Sequence, residues 1–122
     1  MTSVPHTIGR SRPIADAQQT MRAHRIRHLP VLDGGRIVGL VSERDLMLMT
    51  SLPGVDAHRV RVEEAMVQDL FVVSPETPVG EVVETMIDRK LGSALVGEGD
   101  HVIGVFTTVD AMRALHALLE RT

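Results

Sequence analysis

Apolar and polar residues follow a pattern that occurs twice along this chain. Each copy begins with a short apolar run, continues with apolar residues at helical spacing, and ends with two apolar runs around a glycine-containing turn. In the second copy Val79, Val82, Val83, Met86 and Ile87 recur on one helical face, which predicts a helix packed on the core. The pattern predicts the order strand, helix, strand, strand, helix in each copy, and therefore a mixed α/β (α+β) fold.

The two apolar runs that end each copy predict a β-hairpin. Its second strand covers residues 36 to 41 in the first copy and 101 to 106 in the second. The turns are residues 33 to 35 and 97 to 100, the latter ending in Asp100. Pro30 has no backbone N–H to donate to a ladder, so we expect its strand to lie at the edge of a sheet.

The two copies are an internal repeat. Sliding the sequence by 65 residues aligns 6 to 49 with 71 to 114 without a gap. Identities include Gly39/Gly104, Asp45/Asp110 and Met47/Met112. We therefore predict a first repeat over residues 1 to 50, a linker over 51 to 65 and a second repeat over 66 to 122. At roughly 45 residues neither copy has enough core to fold alone, so we expect the two to pack around a pseudo-two-fold axis, with a cleft between them.

The longest shared motif is a heptapeptide at residues 39 to 45 that returns at 104 to 110. Both copies read glycine, two apolar residues, a hydroxyl residue, two variable residues and an aspartate. This predicts a strand that runs into a helix, with the hydroxyl and the carboxylate forming a capping box. A single such box needs no functional interpretation. A glycine inside a buried strand, however, indicates that a ligand or another backbone comes close, and here it occurs twice at the same offset.

The same motif has the chemistry of a ribose-phosphate site. A helix N-terminus carries free N–H groups and a partial positive charge, which attract phosphate. The hydroxyl of Ser42 or Thr107 can donate to a phosphate oxygen, while the carboxylate of Asp45 or Asp110 accepts only and suits a ribose diol. Plain helix capping and nucleotide binding therefore both fit the motif.

Composition excludes several classes of partner. The net charge of −3 and the two aromatic residues, both phenylalanine, argue against a nucleic-acid surface. With no cysteine there is no disulfide or thiolate site, which fits a reducing cytoplasm. Residues 1 to 12 are polar and no stretch is long and apolar enough for a membrane span, so we expect a soluble intracellular protein.

Candidate metal and catalytic residues favour structural interpretations. The six histidines are scattered, and none has the zinc-enzyme spacing on a helix, so we predict no metal site. We interpret Glu63 and Glu64 as a solvated turn. No set of serine, histidine and acid indicates a nucleophile, so we predict no catalytic residue.

With these motifs in place, the chain resembles a tandem pair of cystathionine-beta-synthase (CBS) domains, also called a Bateman module. The likeness covers nearly the whole sequence and is strongest over residues 27 to 46. The family's ribose-phosphate motif is glycine, apolar, any residue, serine or threonine, two further residues and aspartate, and both heptapeptides match it. The resemblance implies two tandem β-α-β-β-α repeats and a protein that is not an enzyme.

The resemblance also implies two ligand sites, each with its sugar and phosphate groups held by one repeat and its base by the other. One site would comprise Gly39, Leu40, Ser42, Arg44 and Asp45, with Val72, Val73, Ala94 and Leu95 around the base. The other would comprise Gly104, Val105, Thr107, Val109 and Asp110, with Thr7, Ile8, His28 and Pro30 around the base.

Arg27 and His28 fall where basic residues approach phosphates in some relatives. The second copy has Gly92 and Ser93 at the corresponding positions. We therefore expect the two sites to differ in phosphate preference, and the site with Asp110 to bind a charged nucleotide more tightly.

Modules of this family bind AMP, ADP, ATP, S-adenosylmethionine or NAD and regulate an attached or associated protein. The resemblance implies a stand-alone, energy-sensing cytoplasmic module with an adenine nucleotide as regulatory ligand and no obligatory cofactor. It would signal to a separate effector protein and form a homodimer through its helices, with Leu115, Leu118 and Leu119 as apolar surface. A ligand-free interaction or dimerisation scaffold is one alternative. An enzyme acting on a nucleotide is another, but no residue set supplies its chemistry.

Overall fold

The chain folds into two compact units in a computed structural model that describes residues 2 to 3, 6 to 99 and 101 to 121. The first unit is His6–Leu70. The second begins at Phe71 and also includes the first strand of the chain, β1 (Thr2–Ser3).

The first unit contains a three-stranded sheet with two helices. Its elements are β2 (Ile8–Gly9), α1 (Ile14–His24), β3 (His28–Asp33), β4 (Arg36–Ser42), α2 (Glu43–Thr50) and a 3-10 turn (Val62–Glu64). The strand order is β2-β3-β4, with β2 parallel to β3 and β3 antiparallel to β4. The predicted order of strand, helix, strand, strand, helix is confirmed here.

The second unit repeats this arrangement. Its further elements are β5 (Val72–Val73), α3 (Val79–Arg89), β6 (Ser93–Glu98), β7 (His101–Thr107) and α4 (Thr108–Glu120). The strand order is β1-β7-β6-β5. The predicted mixed α/β fold is therefore confirmed, including the hairpin of β6 and β7. Asp100, predicted to end the hairpin turn, lies outside the described residues.

Each sheet buries its apolar face under the helices of its own unit. The first core is formed by Ile8, Ile14, Ala17, Met21, Leu29, Val31, Val41, Leu46 and Val62. The second is formed by Val82, Met86, Ala94, Val96 and Phe106. Both sets alternate along the strands and follow helical spacing on the helices, as the hydrophobic pattern predicts.

The predicted apolar face of α3 is only partly buried. Val82 and Met86 lie in the core, but Val79 is 51% exposed and Ile87 is 69% exposed, so their assignment to the core is wrong. At Val79 the two repeats differ because a linker covers the aligned position only in the first repeat. Ile14, which aligns with Val79, is fully buried, and its N–H donates to the carbonyl of Val60 in the linker at 2.9 Å.

The linker is joined to the first sheet by an ion-pair network around Arg10. The Arg10 guanidinium contacts the carboxylates of Glu63 at 2.6 Å and Asp33 at 3.1 Å. Its hydrogen bonds to Glu63 and then to Asp33 raise the pKa of Arg10, so on the alkaline side the guanidinium loses its charge only above the ordinary range of arginine. The interpretation of Glu63 as a solvated turn residue is wrong, because Glu63 is half-buried in this network.

The prediction that Pro30 marks an edge strand is also wrong. Pro30 lies on β3, which is the central strand of its sheet. The short strand β2 pairs only with Val31 and Leu32, and Pro30 precedes that pairing. A proline is tolerated there because β2 requires no ladder donor from position 30.

The first residues of each predicted repeat pair with the sheet of the opposite repeat. Thr2 is paired with Val105 on β7, and Val67 forms an antiparallel bridge with Leu40 on β4. Adding the repeat offset of 65 to Thr2 and Leu40 gives Val67 and Val105, so the two pairings are equivalent. The bridge at Leu40 consists of two hydrogen bonds, with N···O distances of 3.0 and 2.8 Å. The repeats thus exchange their leading segments.

Candidate functional site

The first predicted sugar-phosphate corner is a complete capping box. Ser42 is the N-cap of α2, and its Oγ accepts a hydrogen bond from the Asp45 N–H at 3.0 Å. The Asp45 Oδ2 accepts in turn from the Ser42 N–H at 2.9 Å and from the Ser42 hydroxyl at 2.8 Å. The capping interpretation of this motif is confirmed.

The second corner has the same geometry with longer bonds. Thr107 is the N-cap of α4, and its Oγ1 accepts from the Asp110 N–H at 3.3 Å. The Asp110 Oδ2 accepts from the Thr107 N–H at 2.9 Å and from its hydroxyl at 3.1 Å. The two corners therefore match atom for atom.

Each box leaves one carboxylate oxygen outside its hydrogen bonds. At Asp45 the Oδ1 accepts no hydrogen bond from any residue that the structure describes, while Oδ2 already accepts two. At Asp110 the Oδ1 lies 3.6 Å from Arg113 Nη1. A carboxylate oxygen can accept hydrogen bonds from a diol, so Oδ1 is the atom through which either aspartate would bind a ribose. Arg113 competes for it only at the second corner, because Leu48 is the aligned residue at the first.

Basic residues lie beside the first corner. His28 pairs with Ser42 across β3 and β4, and the Arg27 carbonyl accepts from the Glu43 N–H at 2.8 Å. At the second corner Ser93 pairs with Thr107, and the Gly92 carbonyl accepts from the Thr108 N–H at 3.1 Å. The assignment of Arg27 and His28 to a ligand at Thr107 stays a prediction.

Gly39 is required by a neighbouring backbone. A Cβ at this position would overlap Met66 Sδ and lie 3.1 Å from the carbonyl oxygen of Val67. The glycine therefore accommodates the segment that bridges to Leu40, while its assignment to a ligand site stays a prediction. Of the two causes that the sequence left open for this glycine, the close backbone is the one observed.

The remaining predicted site residues differ in what they can offer a ligand. The buried residues are Ile8, Pro30, Leu40, Ala94, Leu95, Gly104 and Val105. Those with exposed side chains are Thr7, Arg27, Arg44, Val72 and Val109, while His28 and Val73 are half-buried. The buried set can offer a ligand mainly backbone groups. Here the repeats differ, because the Leu95 N–H donates to the Phe71 carbonyl at 2.8 Å whereas Pro30, which aligns with Leu95, has no N–H.

Sequence reasoning missed Arg113 and Met66. Arg113 lies three residues after Asp110 on α4, a spacing that predicts an ion pair on a helix. Met66 gave no comparable signal, because its contact with Gly39 joins residues 27 positions apart. Among the described residues there is no group of three potential metal ligands, and the rings of His6 and His24 stack with centroids 3.7 Å apart.

A family model decides the relationship of this chain. The model of the CBS domain matches residues 1–49 and 62–117, which covers both repeats. The chain belongs to the CBS domain family. None of the helices in the described part of this CBS chain combines the length and the apolar character needed to cross a bilayer.

Solved structures agree with this assignment. A putative acetoin utilization protein (AcuB) from Vibrio cholerae is 32% identical, with a TM-score of 0.76 over 98% of this chain and 89% of that one. The CBS domain pair of protein MJ0100, in complex with 5-methylthioadenosine and S-adenosyl-L-methionine, is 24% identical, with a TM-score of 0.78 over 95% of this chain and 92% of that one. The second likeness supports the fold alone.

Among curated proteins, CBS sequences similar to this one also occur within longer chains. The A-adding tRNA nucleotidyltransferase of Geobacter sulfurreducens is 23% identical over 99% of this chain. The chain spans only 13% of that relative's length. This chain therefore corresponds to a small part of that longer relative.

Proposed function

We propose that this CBS pair is a regulatory module that binds an adenosine-containing ligand, AMP, ADP or ATP, at its two sugar-phosphate corners. One observation carries the proposal: both corners place a hydroxyl and an aspartate at a helix N-terminus, and each aspartate keeps its Oδ1 outside the capping box. A phosphate would bind at the helix N-terminus, and the ribose diol at Oδ1. The relative that contains methylthioadenosine and S-adenosyl-L-methionine supports this ligand class.

The hydroxyl groups would have to change partner when a phosphate binds. In the structure the Ser42 and Thr107 hydroxyls both donate to their own aspartate. A phosphate that accepts from either hydroxyl therefore replaces an existing bond, and the net gain from that contact is modest. Charged groups nearby must supply the rest. Arg27, His28 and Arg44 are the candidates, since Gly92, Ser93 and Val109 stand at the aligned positions.

We expect the module to act through another protein. No set of residues suggests a reaction, and we propose that nucleotide occupancy changes the contact with a separate effector protein in the cytoplasm. The absence of cysteine from the sequence supports that compartment. S-adenosylmethionine or NAD is the alternative ligand. A ligand-free scaffold is the alternative function, favoured by the fact that both motifs already act as complete caps.

Thermal unfolding monitored by circular dichroism identifies the ligand. It is measured without ligand and then with AMP, ADP, ATP, S-adenosylmethionine and NAD in turn. A ligand at a hundred times its Kd adds about 2.7 kcal/mol to the stability of the folded state. For a chain of this size the midpoint then rises on the order of ten degrees. We expect one or more adenine nucleotides to produce this shift. If none of the five changes the midpoint, the scaffold function replaces the proposal.

We also propose that two copies pair through α3 and α4. These helices expose Ile87, Met112, Leu115, Leu118 and Leu119, and the groove between them, of about 320 Å³, has Lys90 as its one charged lining residue. A second copy suits such a face, because a largely apolar surface avoids repulsion between chains that each carry a net charge of −3.

Cysteine substitution tests this pairing cleanly, because the chain has no native cysteine. We expect Met112→Cys to form a covalent dimer with a short bismaleimide linker at low protein concentration. Met47→Cys is the matched control, since Met47 aligns with Met112 and is similarly exposed, 61% against 67%. A monomeric Met112→Cys product under the same conditions, together with a monomeric sedimentation profile, would contradict the proposed pairing.

A further inference from the structure

The aspartates of the two corners differ in how far they are exposed to solvent. Asp45 is half-buried. Asp110 is buried, and it is the one charged residue of which this is true in the part of the chain that the structure describes. Because the hydrogen bonds of the two capping boxes match atom for atom, the boxes themselves do not explain this difference. The cause must lie in a neighbouring side chain.

That neighbour is Arg113, which lies one helical turn after Asp110 on α4. Its Nη1 is 3.6 Å from Asp110 Oδ1, the oxygen that the capping box leaves outside its hydrogen bonds. The Arg113 side chain is 74% exposed, whereas that of Asp110 is 7% exposed. An ion pair with a solvated, flexible partner contributes little to stability. Arg113 can therefore leave this oxygen at a small cost when something else binds it.

The first corner shows that a capping box does not require such an arginine. Leu48 stands at the position aligned with Arg113, and Asp45 forms no ion pair with a described residue. The first box is nevertheless complete, and its hydroxyl accepts the aspartate N–H at 3.0 Å, against 3.3 Å at the second corner. The contact of Arg113 is thus an addition to the second corner and no part of the cap.

Arg113 also lies close to the group that is predicted to contact a phosphate. The two oxygens of Asp110 face different partners, because Oδ2 accepts from the Thr107 hydroxyl at 3.1 Å while Oδ1 faces the guanidinium. One carboxylate group therefore separates Arg113 from the Thr107 hydroxyl. A guanidinium binds phosphate through two charge-assisted hydrogen bonds, so a phosphate at Thr107 offers Arg113 a stronger partner than a single carboxylate oxygen at 3.6 Å.

We propose that Arg113 makes the second corner selective for phosphorylated adenosine over the neutral nucleoside. Without a phosphate, Arg113 remains on Asp110 Oδ1, and a ribose diol has to displace it. With a phosphate, the guanidinium moves to the phosphate oxygens and leaves Oδ1 free for the diol. The first corner lacks this selection, because Leu48 carries no charge. The inference rests on the proposed function and deepens it, since it assigns a ligand class to one of the two corners.

The test compares adenosine with AMP at each corner separately. Amide chemical shifts of Asp45 and Asp110 in the labelled protein, followed during titration, give a Kd for each corner. Arg113→Leu introduces the residue of the first corner. At the Asp110 corner we expect it to bind adenosine about threefold more tightly and AMP about threefold more weakly. The ratio of the two Kd values then changes by about tenfold, and the two ligands respond in opposite directions.

Three controls separate this role from a general effect of charge or stability. Leu48→Arg places an arginine at the first corner, where adenosine should bind about threefold more weakly. Arg36→Leu removes the same charge from an exposed position at the start of β4, and the Kd ratio at the Asp110 corner should stay within about twofold of the parent. The ligand 2′,3′-dideoxyadenosine has no diol, so Arg113→Leu should not change its Kd. Circular dichroism confirms that each variant is folded.

The outcomes distinguish this inference from the proposed function. If adenosine and AMP both bind but their Kd ratio is the same in Arg113→Leu as in the parent, Arg113 does not select the ligand and the nucleotide proposal stands. An equal change of the ratio in Arg36→Leu would overturn the inference in the same way. If neither ligand shifts the amides of Asp45 and Asp110, the nucleotide proposal is refuted, and the selectivity of the second corner with it.

Discussion

Replacing Gly39 with valine is expected to lower the free energy of unfolding by about 3 kcal/mol. A Cβ at this position would overlap Met66 Sδ, and it would lie 2.8 Å from Met66 Cγ and 3.1 Å from the Val67 carbonyl oxygen. The methionine side chain can move, but the carbonyl accepts the Leu40 N–H at 3.0 Å and cannot retreat without weakening that bond. Urea unfolding followed by far-ultraviolet circular dichroism measures the loss, because the chain has no tryptophan.

Two controls isolate the cause of this loss. Gly92→Ala places a Cβ where no atom of a described residue lies within 4 Å, so it should stay within about 0.5 kcal/mol of the parent. Combining Gly39→Ala with Met66→Ala should cost less than the sum of the two single losses, because the second substitution removes the overlapping side chain. If Gly39→Val unfolds at the same urea concentration as the parent protein, the bridge between Leu40 and Val67 does not hold the Val67 carbonyl in place.

Removing the Arg27 guanidinium is expected to weaken nucleotide binding by about tenfold or more, and removing the Thr107 hydroxyl by about threefold, because that hydroxyl exchanges one hydrogen bond for another. Thr107→Ala deletes the hydroxyl predicted to contact a phosphate. Arg27→Ala deletes a charge expected to matter more for ATP than for AMP, because ATP carries more phosphates. Isothermal titration with both nucleotides measures the change in Kd.

Thr107→Ala also removes a helix cap, so its stability needs a control. The Thr107 Oγ1 accepts the Asp110 N–H, and losing such a cap costs about 1 kcal/mol. Thr107→Ser keeps both the cap and the hydroxyl and should keep the affinity. Arg36→Ala removes an exposed arginine outside the predicted sites and should change nothing. Unchanged affinities for AMP and ATP in both Thr107→Ala and Arg27→Ala would refute the assignment of these residues.

The sequence predicts the architecture well because its signals are local and occur twice. Helical spacing, the glycine-containing hairpin turns and the capping boxes each involve residues within a few positions of one another. The offset of 65 residues then lets either repeat support the interpretation of the other. Both corners, with Ser42 and Thr107 as N-caps, form where the motif predicts.

The errors concern contacts between distant residues. Burial at Val79 depends on whether a linker covers the start of the helix, and spacing along α3 carries no information about that. Pro30 occupies a central strand because β2 is two residues long, a length that the alternation of apolar residues does not reveal. Gly39 carried a genuine signal of close approach, but the approaching group is the backbone around Val67, which belongs to the predicted second repeat. The pairing of this short segment with the sheet of the first repeat involves too few residues to leave a periodic pattern in the sequence.

The proposed function depends most directly on where an adenine nucleotide binds. Titrating AMP into labelled protein, with amide chemical shifts followed residue by residue, measures this location. We predict saturable shifts at the amides of Ser42, Asp45, Thr107 and Asp110, with Gly54 in the linker unaffected. A saturating nucleotide that leaves all four amides unchanged, or whose shifts cluster away from both corners, would contradict the account.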